Sequence, residues 1–198
     1  MGTGPSRFVF GDVLSKRGTA LGALAALLGY ATTYLLRQDA IEASTVAPAG
    51  RFTAREAGPA AWQVAGWLWV GAHHVALRAS KGTMVDGYEL PVAPTATDPW
   101  ASFLFVLPPV ALTVAGALAA GSTDMPRNAT RRGAGVVGGY LLAAAGSLYA
   151  FRWTGVYRFD GMHRVVVPEA VPTLLVLGVA FPVAFGALGG RLRHLTGR

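Results

Sequence analysis

His73 and His74 are the only ionisable side chains within the apolar stretches of this chain, so they are the first place to look for chemistry. Two neutral imidazoles can ligate haem or a metal, or relay a proton. Adjacent residues on a helix point about 100° apart, so the pair cannot face one iron together. The remaining histidines, His163 and His194, fall in a loop and a tail. The reading left is a hydrogen bond to a neighbouring helix or a place near an interface, with no cofactor and no metal. Pro108, Pro109 and Pro182 are the second group. Each removes a helical hydrogen bond and pushes on the preceding turn, and carbonyls freed in this way line solute pathways in some transporters. The prolines therefore mark kinks or a possible pathway. No HExxH, GxxxxGK[ST] or GxSxG motif occurs, and no carboxylate stands in an apolar stretch. The sequence offers no catalytic residue, and an enzyme is not expected.

The elements that hold these residues follow from composition. Of 198 residues 53% are hydrophobic, 14% are charged and none is cysteine. A soluble domain carries about a quarter charged residues, a disordered chain far fewer apolar ones, and a disulfide or cysteine–zinc scaffold needs cysteine. Five windows are long and apolar enough for a helix across a bilayer core of about 30 Å: Gly18–Leu36, Pro59–Leu77, Ala101–Gly121, Gly133–Phe151 and Ala170–Gly190. None contains Asp, Glu, Lys or Arg. The sequence predicts an all-α, polytopic membrane helix bundle of about five crossings in a single domain. The second window is short, and its histidines leave a re-entrant or interfacial placement open.

Small residues recur at a spacing of four. Gly18 and Gly22 share a face of the first window, Gly135 and Gly139 of the fourth, Gly186 and Gly190 of the fifth. That spacing lets helix backbones approach closely, within one bundle or between subunits. The loops 78–100 and 152–169 each carry Asp-Gly flanked by β-branched or aromatic residues, which reads as a tight hairpin turn. With five crossings both loops fall on one side and could join in a small sheet. Asp86, Gly87, Tyr88, Asp160 and Gly161 would then be a surface for a protein partner. Five crossings also put the two tails on opposite sides. Arginine clusters around Arg127–Arg132 and Arg191–Arg198 place the C-terminus on the cytoplasmic face of a cell membrane. The net charge of +7 comes from scattered arginines, which gives no case for nucleic acid.

Taken in order, Gly29-Tyr30-Ala31-Thr32-Thr33-Tyr34, Gly66-Trp67-Leu68-Trp69-Val70-Gly71-Ala72-His73, Leu107-Pro108-Pro109, Gly139-Tyr140 and the run Phe181–Gly190 resemble a group of small multi-pass membrane proteins of halophilic archaea. That group has no assigned function, and some of its members are labelled "transporter". The resemblance implies a helix bundle and brings no catalytic residues. Together these observations lead to two expectations. The first is a non-catalytic structural or accessory subunit of a membrane assembly, whose partners are the lipid bilayer and other membrane subunits or itself. The alternative is a small-solute transporter or channel working as an oligomer.

Overall fold

The computed structural model describes residues 15–39, 41, 59–81, 84–90, 99–122, 125–156 and 163–196. Among them are five helices and four strands. The helices are α1 (Lys16–Leu36), α2 (Ala61–Gly71), α3 (Pro99–Ala120), α4 (Pro126–Ala150) and α5 (Ala170–Thr196). The strands are β1 (Leu77–Lys81), β2 (Met84–Leu90), β3 (Trp153–Val156) and β4 (His163–Pro168). Four of the helices, all but α2, are long and apolar enough to cross a membrane.

The second window departs from the five-crossing expectation. It forms a helix of eleven residues, Ala61–Gly71, and then turns back. At 1.5 Å per residue that is about 16 Å, roughly half a bilayer core. The hydropathy of the window extends to Leu77, but its last residues are used differently. His74 takes a left-handed φ of 58°, a conformation in which His is among the less disfavoured residues, and the chain then enters β1. Helix α2 starts and β1 leaves at the same end of the bundle, so this segment dips in and returns.

Helix directions follow from which residues meet. Gly18 lies against Gly135 and Gly139 against Thr19, so α1 and α4 run the same way. Gly190 lies against Ala129 and Gly133 against Gly186, so α4 and α5 run oppositely. The four long helices alternate up and down. As a result α1 begins and α5 ends at the same end of the bundle, where Arg17, Leu192 and Arg193 line one groove. The expectation of opposite ends is not met, because α2 turns back within the bundle.

Glycines set the separations. A Cβ on Gly22 would fall on the carbonyl of Val136, and one on Gly139 would fall on that of Thr19. Gly186 is the point where three helices converge: Gly116 of α3 and Gly133 of α4 both lie against its carbonyl. Contact at this distance is open only to residues without a side chain. Helix α5 also changes form. Thr173–Ala180 is π-helical, with Phe181 N–H donating to Val176 O, five residues back. Pro182, fully buried, follows directly. Its missing N–H and its ring bar the ordinary bond to the fourth carbonyl before it, and the wider turn accommodates that loss. Helix α3, by contrast, runs unbroken through Pro108 and Pro109.

The strands form one antiparallel sheet in the order β2-β1-β4-β3, which closes the end of the bundle opposite the tails. Leu77, Val166 and Pro168 are buried on its inner face, and Leu77 pairs with Pro168. The expectation that the two loops join in a sheet agrees with this arrangement. The expected turn at Asp86-Gly87 does not, since both residues lie inside β2, where the pairing with β1 runs from Leu77–Leu90 to Lys81–Met84. Strand β1 begins as soon as the chain leaves the re-entrant turn and gains partners on both sides, which favours the longer pairing over a short Thr83–Leu90 hairpin. Asp160 and Gly161 lie outside the described residues, between β3 and β4.

Candidate functional site

Helix α2 ends inside the bundle, so its last carbonyls need donors there. They all have one. Leu68 O accepts from Ala72 N–H, Val70 O from His73 N–H and Gly71 O from His74 N–H. Trp69 O is left without a backbone donor, and the His73 ring supplies it at 2.8 Å through Nδ1. A carbonyl only accepts, so Nδ1 carries the proton and Nε2 is the acceptor of the neutral ring. Tyr140 Oη, 2.7 Å from Nε2, is its donor. His73 is 0% exposed and Tyr140 1%.

Aromatic rings surround this pair. Trp69 meets His73 edge-on with centroids 5.2 Å apart, and Phe181 lies 5.2 Å from the imidazole on the other side. The two histidines part, although both lie in the turn beyond α2 and the left-handed backbone at His74 separates them. His74 is exposed and stacks on Phe105 at 4.9 Å, its ring plane within 9° of parallel. Both His73 nitrogens are occupied, so a metal would have to displace Tyr140 to reach the lone pair. Chemically, the arrangement closes a helix end and locks two helices together across the core. Trp69 Nε1 is the one buried polar atom of this cluster without a partner, and it faces Gly29 of α1.

The rest of α2 is tied to the end of α4. Trp67 Nε1 donates to Phe151 O at 2.8 Å, and Gln63 Nε2 donates to Arg152 O at 2.9 Å. These are carbonyls at the C-terminus of α4 that the helix itself cannot satisfy. Gln63 Oε1 also accepts from Ala60 N–H, which caps the start of α2. Tyr30 of α1 donates to Trp62 O and stacks on Phe151 at 5.6 Å. Gly66 has no room for a side chain, because a Cβ would enter the Phe151 ring.

The other sequence-derived candidates are dispersed. Gly18, Gly22, Gly135 and Gly139 meet at the α1–α4 contact, and Gly186 and Gly190 meet α4. All six serve packing within the chain. Pro108 is buried and Pro109 half-buried in α3. Asp86, Gly87 and Tyr88 occupy the edge strand β2. Sequence reasoning missed Tyr140 as the partner of His73. The available signal was a tyrosine in an otherwise apolar window, whose hydroxyl needs an acceptor.

No curated protein matches this chain. No solved structure matches it either. A family model covers residues 12–197, almost the whole chain, and it is described as a family of unknown function, DUF7978. The short helix α2, the capping sheet and the four long helices all lie within that match, and the chain belongs to the DUF7978 family.

Proposed function

We propose that the protein is a polytopic integral membrane protein with four crossings and one re-entrant helix, and that it serves as a non-catalytic structural or accessory subunit of a membrane assembly. One observation carries this reading. Every Asp, Glu, Lys and Arg among the described residues stands at an end of the bundle, while the outward faces of the long helices present Leu27, Phe103, Val110, Leu142 and Leu175. Water does not favour such a surface and a lipid core does. The interior supports the non-catalytic part. Thr33, Ser147 and Thr173 bond to carbonyls of their own helices, and His73 bonds to Tyr140. These polar groups are spent on structure.

The ends differ in charge, which supports an orientation. Lys16, Arg17, Arg127, Arg131, Arg132, Arg191 and Arg193 stand at the end that carries the tails. The acidic residues among the described ones, Asp39, Asp86, Glu89 and Glu169, stand at the sheet end together with Arg37, Arg78, Lys81, Arg152 and Arg164. Short basic segments stay in the cytoplasm, so both tails belong there and the sheet outside.

A second reading, a solute transporter or channel working as an oligomer, draws on the π-helical stretch before Pro182 and on a helix that ends at depth. One preparation separates the two. The full chain should stay in the membrane pellet through an alkaline carbonate wash, and release by the wash would refute membrane insertion. After extraction in mild detergent, stoichiometric co-purifying proteins are the expected result. A homo-oligomer that carries solute across liposomes would overturn the subunit reading in favour of the second.

A further inference from the structure

We infer that the basic end of the bundle holds one anionic phospholipid, its phosphate among Arg17, Arg131 and Arg132 and one of its tails along α3 and α5. A cleft of about 550 Å³ opens there, lined by Ser15, Arg17, Ser122, Asn128, Arg131 and Arg132. Three segments distant in sequence build it: the start of α1, the end of α3 and the first turns of α4. None of the three arginines pairs with a carboxylate among the described residues, and the described acidic residues stand at the far end. Guanidinium groups match phosphate oxygens in a planar, bidentate way, and an anion between them also relieves their mutual repulsion. Ser15 Oγ accepts from Gly18 N–H at 3.1 Å and so keeps its own proton free to donate.

The second half of the site decides the class of ligand. A neighbouring groove of about 470 Å³ shares Arg17 and Gly121 with the cleft and is lined further by Val114, Leu118 and Leu192. Gly121 ends α3 at φ 60°, and Arg17 Nη1 lies 3.6 Å from where a Cβ on it would stand. The guanidinium thus sits between a polar cleft and an apolar groove. A free phosphate fills only the first. A phospholipid fills both, at the level where helix ends meet headgroups, and basic pockets between membrane helices on the cytoplasmic side take such headgroups. This inference rests on the membrane reading above.

The test uses the full chain, purified in detergent and stripped of lipid, with adducts counted by native mass spectrometry. Phosphatidylglycerol should add as one tightly held molecule that phosphatidylcholine at the same concentration does not displace. Each arginine near such a headgroup is worth about a fivefold change in affinity, so Arg131→Gln/Arg132→Gln should weaken binding by about 25-fold. Arg17→Lys, which keeps the charge, should weaken it less. Leu118→Asn, in the apolar groove, should weaken phosphatidylglycerol without changing competition by inorganic phosphate. Equal binding of both lipids, or unchanged binding by the double variant, would overturn the site. Displacement of the lipid by inorganic phosphate at comparable concentration would overturn the lipid in favour of a free anion. Thermal melting identifies a variant that has lost its fold, for which Arg17→Lys and Leu118→Asn remain as tests. Failure here leaves the carbonate wash unaffected, whereas a chain released by that wash fails the membrane reading itself.

Discussion

Tyr140 and His73 are each costly alone in an apolar core and are satisfied together. Removing the tyrosine hydroxyl leaves Nε2 buried with a bare lone pair, at a cost of about 1–3 kcal/mol. Tyr140→Phe should therefore lower the melting temperature of the detergent-solubilised protein. His73→Leu/Tyr140→Phe should be less destabilised than the sum of its single changes, since the partners are coupled. Strict additivity in that cycle would mean the bond contributes nothing. The sequence exposed one half of this pair. His73 stood out as an ionisable group in an apolar window, but its partner lies 67 residues away, and nothing local marks which tyrosine it meets. The unpartnered Trp69 Nε1 was equally hidden, since the indole's neighbours come from α1 and α4.

At the scale of elements, periodic small residues were legible and their partners were not. The spacing of Gly18 and Gly22 fits a subunit interface as well as an internal one, and only the fold selects α4 as the neighbour. Two alanine substitutions separate packing from helix propensity. At Gly139 the added methyl group falls on the Thr19 carbonyl and must push α1 and α4 apart, which costs about 1–3 kcal/mol. At Gly146 nothing lies within 4 Å of the new Cβ, and replacing glycine in a helix should gain about 0.5–1 kcal/mol. Gly139→Ala should melt lower than the native protein and Gly146→Ala slightly higher. Equal melting of the two would show that the α1–α4 contact does not hold the bundle.

The same limit explains the second window. Hydropathy averages Pro59–Leu77 into one apolar run and does not see that Gly71–His74 turn the chain back. The hairpins were half legible for a related reason. Asp-Gly is a strong turn signal, but β1 gains more by pairing with β4 over Leu77–Lys81 than by closing on the nearer turn. The Arg78–Glu169 ion pair at 2.9 Å adds little there, with Arg78 59% exposed.

For the whole molecule, an even number of long helices changes the topology that the apolar windows imply. Under the membrane reading, single cysteines introduced into this cysteine-free chain should report it. Ser122→Cys and Thr196→Cys should both be shielded from an impermeant thiol reagent in intact cells, and Thr154→Cys in β3 should be labelled. Labelling of Ser15→Cys with Thr196→Cys still shielded would restore an odd number of crossings, since Ser122 and Thr196 share a side with four crossings or with five. Four crossings divide the lysines and arginines between the sides almost as evenly as five do, so the orientation draws on the short, arginine-dense segments and on the end at which the described acidic residues stand.

The seating of α2 also bears on the order of synthesis. The carbonyl that Trp67 bonds belongs to Phe151, and β1 lies between β2 and β4, whose residues are made last of the four strands. A growing chain that has reached only α3 holds this short apolar helix together with β1 and β2, but neither the Phe151 carbonyl nor strand β4 is yet made. Chains emerge N-terminus first, so α2 and β1 complete their contacts only after most of the protein exists. A segment among the first to appear is therefore finished late, and a chain interrupted before α4 ends would leave Trp67 without its carbonyl partner.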